Sequence, residues 1–231
     1  MFEISPTEWT AILLSLRVAI IATLVATPFG IALAWLLARR NFWGKSILDA
    51  AVHLPLVLPP VVTGYLLLLT FGRRGLVGAW LADHLGIVFA FRWTGAALAC
   101  GIMSFPLLVR PIRLSIEAID RRLEQASSTL GAAPWQVFAT VTLPLALPGV
   151  LAGMVLGFAK AIGEFGATIT FVSNIPGETQ TISSAIYSLI QSPEGDSAAL
   201  RLVVVSILLA MAALIGSEWF ARRALRRLHG N

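Results

Sequence analysis

Long apolar runs, separated by short polar stretches, are the main feature of this sequence. A helix that crosses the hydrocarbon core of a bilayer needs roughly 20 residues, at a rise of about 1.5 Å each. Five such runs are present, with ends placed to within several residues: Thr10 to Ala38, Leu54 to Phe71, Trp93 to Arg113, Leu145 to Phe171 and Leu202 to Ala221. The pattern predicts an all-α fold, a polytopic membrane protein with about five transmembrane helices.

The composition supports a single transmembrane domain over residues 1–231. Hydrophobic residues make up 57% of the chain and charged residues 13%, which leaves too little polar surface for a soluble globule. The formal net charge of +5 would also suit a nucleic-acid-binding protein. However, the basic residues cluster at the ends of the predicted helices instead of forming a groove with interleaved aromatic residues. We therefore expect a lipid bilayer, and no nucleic acid, around the chain.

Residues suited to catalysis or metal binding are scattered. The single cysteine, Cys100, lies inside the third apolar run, so this chain alone cannot build a disulfide or a thiolate metal site, and we assign Cys100 to packing. His53, His84 and His229 fall in different loops or in the tail. A membrane-embedded enzyme would need such ligands, or paired carboxylates, at one depth. We predict no catalytic residue, no metal site and no enzyme activity of the chain itself.

Charged residues between the runs predict the orientation, because short loops rich in Lys and Arg stay in the cytoplasm. One side of the membrane carries most of the basic residues: Arg39, Arg40, Lys45, Arg110, Arg113, Arg121, Arg122, Arg222, Arg223, Arg226 and Arg227. The other side mixes both signs: Arg73, Arg74, Arg92, Arg201, Asp83, Glu178, Glu194 and Asp196. We predict an N-terminus outside and a C-terminus in the cytoplasm, with a cytoplasmic loop at about residues 114–144 and an external loop at about 172–201.

An odd number of spans without an internal repeat suggests that one chain forms half of a pathway. A transporter with two equal halves in one chain would show paired segments. We therefore expect a second copy of this chain, or a similar subunit, with the path along the two-fold axis.

The cytoplasmic loop contains a patterned segment, Leu123 to Pro144. Leu123, Ala126, Ser127 and Leu130 form one small and apolar helical face, opposite Glu124, Gln125 and Ser128. Gly131 can then adopt the left-handed conformation that ends a helix, and the apolar period resumes at Trp135, Phe138 and Val141. Leu143 and Pro144 are predicted to start the next span, where proline is tolerated. The pattern predicts a helix, a turn and a second helix, and suggests a docking element. Periodicity alone would be equally consistent with an ordinary amphipathic surface helix.

This segment resembles the conserved loop of the permease subunits of ABC importers. The family pattern is Glu-Ala-Ala, then Gly, then Ile-x-Leu-Pro, and here Gln125 takes the place of the Glu while Glu124 lies one residue earlier. The resemblance assigns the coupling role to these residues: Glu124, Gln125, Ala126, Ser127, Gly131, Ala132, Val141, Leu143 and Pro144. It implies a type I ABC-importer permease fold in a bacterial cytoplasmic membrane, with a coupling helix that binds a separate cytoplasmic ATPase dimer.

The chain lacks a G-x-x-x-x-G-K-[ST] loop. The resemblance therefore implies that ATP and Mg²⁺ bind to the partner ATPase and that this chain binds no cofactor. A channel or an ion-driven secondary transporter is a further alternative, which would show flux without ATP.

Two other segments resemble permeases for molybdate: HLPLVLPPVVTGYLLL at His53 to Leu68, and GEFGATITFVSNIPGETQTI at Gly163 to Ile182. Sulfate and thiosulfate permeases have a comparable Gly-Glu-Phe/Tyr-Gly stretch. The resemblance thus implies a tetrahedral oxyanion as substrate, with molybdate first, tungstate alongside and sulfate or thiosulfate as the alternative. It also implies an external oxyanion-binding protein that delivers the anion.

Several polar residues in the apolar runs are candidates for lining the pathway, because a doubly charged oxyanion needs hydroxyl and N–H donors. They are Thr63, Ser104, Thr168, Thr170, Ser173 and Asn174. Lys160 and Glu164 lie four residues apart in the fourth run, where charge is costly. For each hydroxyl, a bond back to its own helix is the stronger alternative. For Lys160 and Glu164, a structural ion pair competes with a gate or pathway role.

Small residues and prolines leave further alternatives open. Gly149, Gly153, Gly157 and Ala161 form a close-packing stripe on the fourth run, facing either the same chain, a second copy or a narrow pore. Pro28, the Pro59–Pro60 pair, Pro106 and Pro111 would each break or kink a helix. Thr181 to Gln191 predicts a short amphipathic surface helix, which either contacts a binding protein or covers the bundle end.

Overall fold

The computed structural model describes residues 4–193 and 195–228, and side chains as far as residue 216. All regular elements within these residues are helical. They are α1 (Pro6–Arg39), α2 (Lys45–Val57), α3 (Pro60–Phe71), α4 (Leu76–Leu85), α5 (Trp93–Glu117), α6 (Arg121–Thr129), α7 (Pro134–Val137), a π-helical turn (Phe138–Thr142), α8 (Leu143–Ile162), α9 (Gly166–Val172), α10 (Ile182–Leu189) and α11 (Asp196–Leu228). The predicted all-α class is confirmed.

Four helices in the described residues are long and apolar enough to cross a membrane: Pro6–Arg39, Trp93–Glu117, Pro134–Ile162 and Asp196–Gly216. The fifth predicted span exists as a broken one, in which α2 and α3 meet at an angle of 114°. The prediction of about five spans is therefore confirmed when this pair is counted as one.

The second span differs from the prediction, which placed one helix from Leu54 to Phe71. The helix starts earlier, at Lys45, and breaks at Pro59 and Pro60. Leu58 and Pro59 are extended, with ψ angles of 143° and 133°. Two successive prolines cause this, because each lacks the N–H of a helical bond and each disfavours the helical conformation of the residue before it.

The fourth span also differs at both ends from the predicted Leu145 to Phe171, and its helix does not start at Leu143. The helix is continuous from Pro134 through the π-helical turn to Ile162. It stops at Gly163, and the short α9 follows from Gly166. The predicted span thus contains a break just before its last quarter.

Helix α5 lies at the centre of the bundle, between α1 and α8. The small residues of α8 face α5 of the same chain: a Cβ atom added to Gly153 would lie 2.5 Å from the backbone oxygen of Leu108. Cys100, on α5, is fully buried with its Sγ 3.5 Å from the backbone oxygen of Ala161, so its packing role is confirmed. The close-packing stripe therefore joins two helices within the chain.

Of the predicted proline breaks, only the Pro59–Pro60 pair ends a helix. Pro28 lies inside a continuous α1, and Pro106 and Pro111 lie inside a continuous α5. Helices α1 and α5 run parallel, since Gly101 faces Ala22 and Gly30 faces Leu108 further along.

The two ends of the bundle are closed differently. The N-terminal face, which carries the start of α1 and α10, is tied by the backbone N–H of Ile182 to Ser15 Oγ at 2.7 Å and by Arg201 to Glu8 at 2.8 Å. The predicted short helix is confirmed here as α10, which packs against α1 and α11. The α6 face, at the other end, carries α6 and α7. Arg222, Arg223, Arg226 and Arg227, used above for orientation, lie outside the described side chains, and Glu194 outside the described residues.

Candidate functional site

The segment on the α6 face has the predicted helix, turn, helix form. Asp120 caps the start of α6, where its carboxylate accepts a hydrogen bond from the backbone N–H of Arg122 at 2.9 Å. Helix α6 ends at Thr129, and Gly131 follows with a φ of +88°, the left-handed conformation that favours glycine. The side chain of Gln136 accepts from the backbone N–H of Ala133 at 2.8 Å and caps α7.

Glu124 faces inward, whereas Gln125 and Ser128, which were expected on the same side of the helix, are exposed. Its carboxylate is 3.1 Å from the Nε of Arg39, at the end of α1. It also accepts a hydrogen bond of 2.6 Å from the hydroxyl of Thr142, just before α8. Arg39 in turn donates to the backbone oxygen of Ile119 at 3.3 Å. Charge-assisted bonds of this kind are stronger than neutral ones, so Glu124 holds α6 to both long helices.

The segment exposes three large apolar side chains among polar ones. Leu123 is 50% exposed, Leu130 90% and Trp135 70%, although each is large and hydrophobic. Gln125 and Ala126 are also exposed beside them. An exposed cluster of this kind on an otherwise fixed segment is typical of a protein interaction site. We call Leu123, Gln125, Ala126, Leu130 and Trp135 the docking surface.

Of the other residues predicted to couple to an ATPase, five are partly exposed: Ser127, Ala132, Val141, Leu143 and Pro144. Val141 belongs to the π-helical turn, in which the backbone N–H of Leu143 donates to Phe138. Because Pro144 has no N–H to offer, the helix would lose a bond at this point in any case, and a wider turn is a common adjustment. The turn connects the docking surface directly to α8.

A second constellation lies where the two broken spans meet. The α-carbon of Gly166, at the start of α9, packs so closely on Pro60 that an added Cβ would lie 2.7 Å from the proline Cβ. One turn further, Gly64 of α3 packs against Ala167 and Thr170 of α9. The breaks at Pro59–Pro60 and after Ile162 are thus in contact with each other.

Lys160 and Glu164 pair at this junction, as predicted, with 2.6 Å between Nζ and Oε2. Glu164 is 2% exposed and its other oxygen accepts from the backbone N–H of Ala167 at 3.0 Å. It therefore lies after the end of α8 and caps α9, instead of lying on one continuous helix with Lys160. The Lys160 side chain keeps about a third of its surface exposed, at 29%.

The hydroxyl candidates separate into two groups. Three bond back to their own chain: Ser104 to Gly101, Thr168 to Phe165 and Thr170 to Gly166, at 3.2, 2.9 and 2.9 Å. Thr63 is buried on the first turns of α3, and its Oγ1 has no partner among the described residues. Lys160, Glu164, Thr168 and Thr170 all lie near the break between α8 and α9, whereas Ser104 faces Gly157, about one turn before Lys160 on α8.

Ser173 and Asn174 lie apart from this junction, in the turn after α9. Ser173 is exposed with a φ of +65°, and Asn174 donates to the hydroxyl of Ser188 on α10 at 2.6 Å. Asn174 Oδ1 is buried without a partner in the described part of the chain. These two residues belong to the N-terminal face.

Sequence reasoning missed Arg39 and Thr142 as partners of Glu124. Arg39 entered only as a basic residue at a helix end, and Thr142 not at all. Periodicity could not have found the pairs, because Arg39 and Glu124 are 85 residues apart. The available signal was an acidic residue on the amphipathic segment and a basic residue ending the first span on the same side of the membrane.

The fold and these two sites define a class: a polytopic α-helical membrane protein with an exposed apolar cluster beside a helix that is bonded to two long helices, and with broken spans that meet each other. Residues 26–226 match the model of the family described as binding-protein-dependent transport system inner membrane component. The chain belongs to this family.

Similar proteins share most of the sequence. The molybdenum transport system permease protein ModB of Escherichia coli (strain K12) is 61% identical over 220 residues, covering 95% of this chain and 96% of that protein. The protein of the same name from Haemophilus influenzae is 56% identical over 221 residues, covering 96% of each.

Solved structures share the fold. A bacterial ABC transporter involved in the import of the acidic polysaccharide alginate matches with a TM-score of 0.74 at 20% identity, over 95% of this chain and 80% of that one. An inward-facing MetNI methionine ABC transporter matches with a TM-score of 0.69 at 15% identity, over 94% and 93%. The predicted permease-like fold of ABC importers is confirmed.

Replacing Glu124 with Ala should loosen α6. Charge-assisted hydrogen bonds contribute about 1.5–3 kcal/mol each, so we expect backbone hydrogen exchange across residues 121–130 to rise by about tenfold or more. Mass spectrometry of deuterated peptides in lipid nanodiscs measures this. Gln125→Ala, one residue away on the exposed side, serves as the matched control. Equal exchange in the two variants would show that the inward contacts of Glu124 do not hold the helix.

Proposed function

We propose that this chain is the membrane-spanning subunit of an ATP-driven importer for molybdate, with tungstate carried alongside. The observation that carries the substrate is the similarity to molybdenum transport permeases over 95% of the chain. Sulfate is the alternative, because a probable sulfate transport system permease protein of Chlorella vulgaris is 36% identical over 80% of this chain.

The docking surface supports coupling to a separate ATPase. Its three large apolar side chains would be unfavourable in water and gain by burial against a partner. Glu124 anchors the segment from the inner side, so a partner that moves the docking surface also moves the ends of α1 and α8. Since Glu124 is engaged within the chain, Gln125 is the residue available for a polar contact with the ATPase. ATP and Mg²⁺ would bind to that partner.

The orientation follows from the same assignment. A cytoplasmic ATPase requires the α6 face in the cytoplasm, which agrees with the basic residues at that end and places the N-terminus outside. The N-terminal face, with Ser173 and α10, would then receive the binding protein that delivers the anion.

The broken second span supports a pathway shared between two copies. Irregular backbone at membrane depth is tolerated only where it is covered by protein or lines a water-filled cavity. Pro59 and Pro60 are exposed in the single chain, as are Val57 and Val61 on either side of them. A second copy placed over this surface would cover the break and enclose a path, as a two-fold dimer does.

Near this path, Lys160 and Glu164 hold the break between α8 and α9 in its bent form. Glu164 caps α9 and Lys160 neutralises it, so the pair fixes the direction in which α9 leaves the break. Thr168 and Thr170 use their hydroxyls on their own backbone and line the junction without a free donor. Thr63, whose buried Oγ1 has no partner among the described residues, keeps a hydroxyl able to bond to the anion.

Leu130→Glu should abolish binding of the ATPase, because a charge would be buried in the contact. Copurification of the detergent-extracted chain with the ATPase expressed beside it measures this. Leu76→Glu, at an equally apolar and exposed position at the start of α4, is the matched control. Retention of the ATPase by the Leu130 variant, or its absence from the wild type, would contradict the docking surface.

ATP hydrolysis by the reconstituted complex identifies the substrate. With the external binding protein present, we expect molybdate and tungstate to stimulate hydrolysis and sulfate to leave it at the basal rate. Stimulation by sulfate alone would favour the alternative importer, and no stimulation by any oxyanion would contradict the substrate class.

Lys160→Met should lower the melting temperature and the transport rate, because the buried Glu164 loses its counter-charge. The double variant Lys160→Met with Glu164→Gln leaves neither charge of this pair at the break. The side-chain amide oxygen introduced at position 164 can still accept from the backbone N–H of Ala167 and cap α9. We expect both quantities to recover in the double variant. Recovered stability without recovered transport in vesicles would mean that the charges serve the pathway directly.

A further inference from the structure

Arg17 occupies an unusual position on α1. It is exposed, and it lies on the same helical face as a stripe of exposed apolar side chains at three- and four-residue spacing: Trp9, Leu13, Ile20 and Leu24. Trp9 and Leu13 precede it, so Arg17 lies two turns inside the apolar stripe. A cation there is costly unless an anion or polar group approaches it.

The one contact that the structure gives Arg17 is with an aromatic ring. Its guanidinium carbon lies 3.8 Å from the centre of the Trp93 ring, at the start of α5. Within the described residues Arg17 makes neither an ion pair nor a hydrogen bond. Stacking uses the flat face of the guanidinium and leaves its N–H donors free in the plane. Arg17 is therefore oriented by Trp93 and still able to bind an anion.

An apolar groove of about 660 Å³ begins at Trp93. Its α5 wall runs from Trp93 to Phe105, about 18 Å at 1.5 Å per residue, and α1 forms the facing wall from Ile21 to Phe29. Val52 and Pro55 of α2 form the inner end. Polar atoms contribute almost nothing to the lining. The length corresponds to roughly half of the 30 Å hydrocarbon core, the depth of one leaflet.

The bend of the second span leaves this groove open. Helix α2 packs on α5 at the end of the groove that lies away from Trp93. Beyond the Pro59–Pro60 break, α3 turns away from the groove and packs against α9. The facing surfaces of α1 and α5 therefore lack a third helix over the half of the membrane nearest to Arg17.

We propose that the groove binds one phospholipid from the leaflet at the N-terminal face, with its phosphate on the guanidinium of Arg17 and an acyl chain along α1 and α5. The bilayer supplies both parts of such a ligand. A cation at the mouth matches the phosphate, and an apolar channel one leaflet deep matches the chain. This site lies outside the proposed transport function and its test does not depend on ATP or an oxyanion.

Native mass spectrometry of the chain released from nanodiscs of phosphatidylglycerol and phosphatidylcholine tests the site. We expect the wild type to retain one phospholipid per chain. Arg17→Gln should lower the retained fraction by about tenfold, the effect of losing one charge-assisted hydrogen bond. Arg74→Gln, the same charge change at an exposed turn residue away from the groove, should retain lipid like the wild type.

A second variant tests the groove itself. Gly101 lines it, and an added Cβ would meet nothing closer than 3.8 Å, so Gly101→Leu should fill the channel and also reduce retention. Wild-type retention in the Arg17 variant, or none in the wild type, would overturn the proposal. So would cross-linking between copies through Gly101→Cys in a Cys100→Ser background, because a helix of a second copy would then fill the groove. If Gly101→Leu fails to fold, the arginine pair still decides.

Discussion

Backbone N–H and C=O groups inside a bilayer need hydrogen-bond partners from the protein, because no water is available there. Two spans of this chain break at membrane depth, so this requirement is most demanding at Pro59–Pro60 and after Ile162. The structure brings the two breaks together, and the glycines Gly64 and Gly166 allow the backbones of α3 and α9 to touch. Glu164 then supplies an acceptor for a free N–H of α9. The pairing of the breaks explains why α3 leaves α1 and α5, and hence why the groove beside Arg17 exists.

Several ion pairs in this protein lie at a helix end or a break. Glu8 with Arg201 closes the N-terminal face, and Glu124 with Arg39 holds α6. Lys160 and Glu164 form a further pair at the break between α8 and α9. Because isolated charge is costly in an apolar setting, such pairs are expected to fix helix positions. Arg17 lies well inside its helix and contacts the Trp93 ring instead of a carboxylate, which is why its stacking is informative.

The sequence predicted helices well and their continuity poorly. Run length and hydropathy were sufficient for the number of spans, because the bilayer fixes both. The ends of the fourth span were wrong, since Pro144 suggests a helix start but the π-helical turn carries the helix through it. The break at Gly163 was missed because glycine is common in membrane helices and gives no specific signal. The helix at α6 was predicted correctly, but the inward direction of Glu124 depends on Arg39, which only the tertiary fold brings near.

Helix α8 connects the two candidate sites. Together with α7 and the π-helical turn it forms one continuous helix from Pro134 to Ile162, 29 residues or about 43 Å at the rise of an α-helix. One end follows directly from the docking surface and is bonded to Glu124 through Thr142. The other end carries Lys160 and stops beside Glu164, where α9 meets α3. The Gly149, Gly153 and Gly157 stripe packs α8 directly on α5, and α8 has no break between Leu143 and Lys160. A displacement of the docking surface would therefore reach the break as a displacement of Lys160 relative to α9.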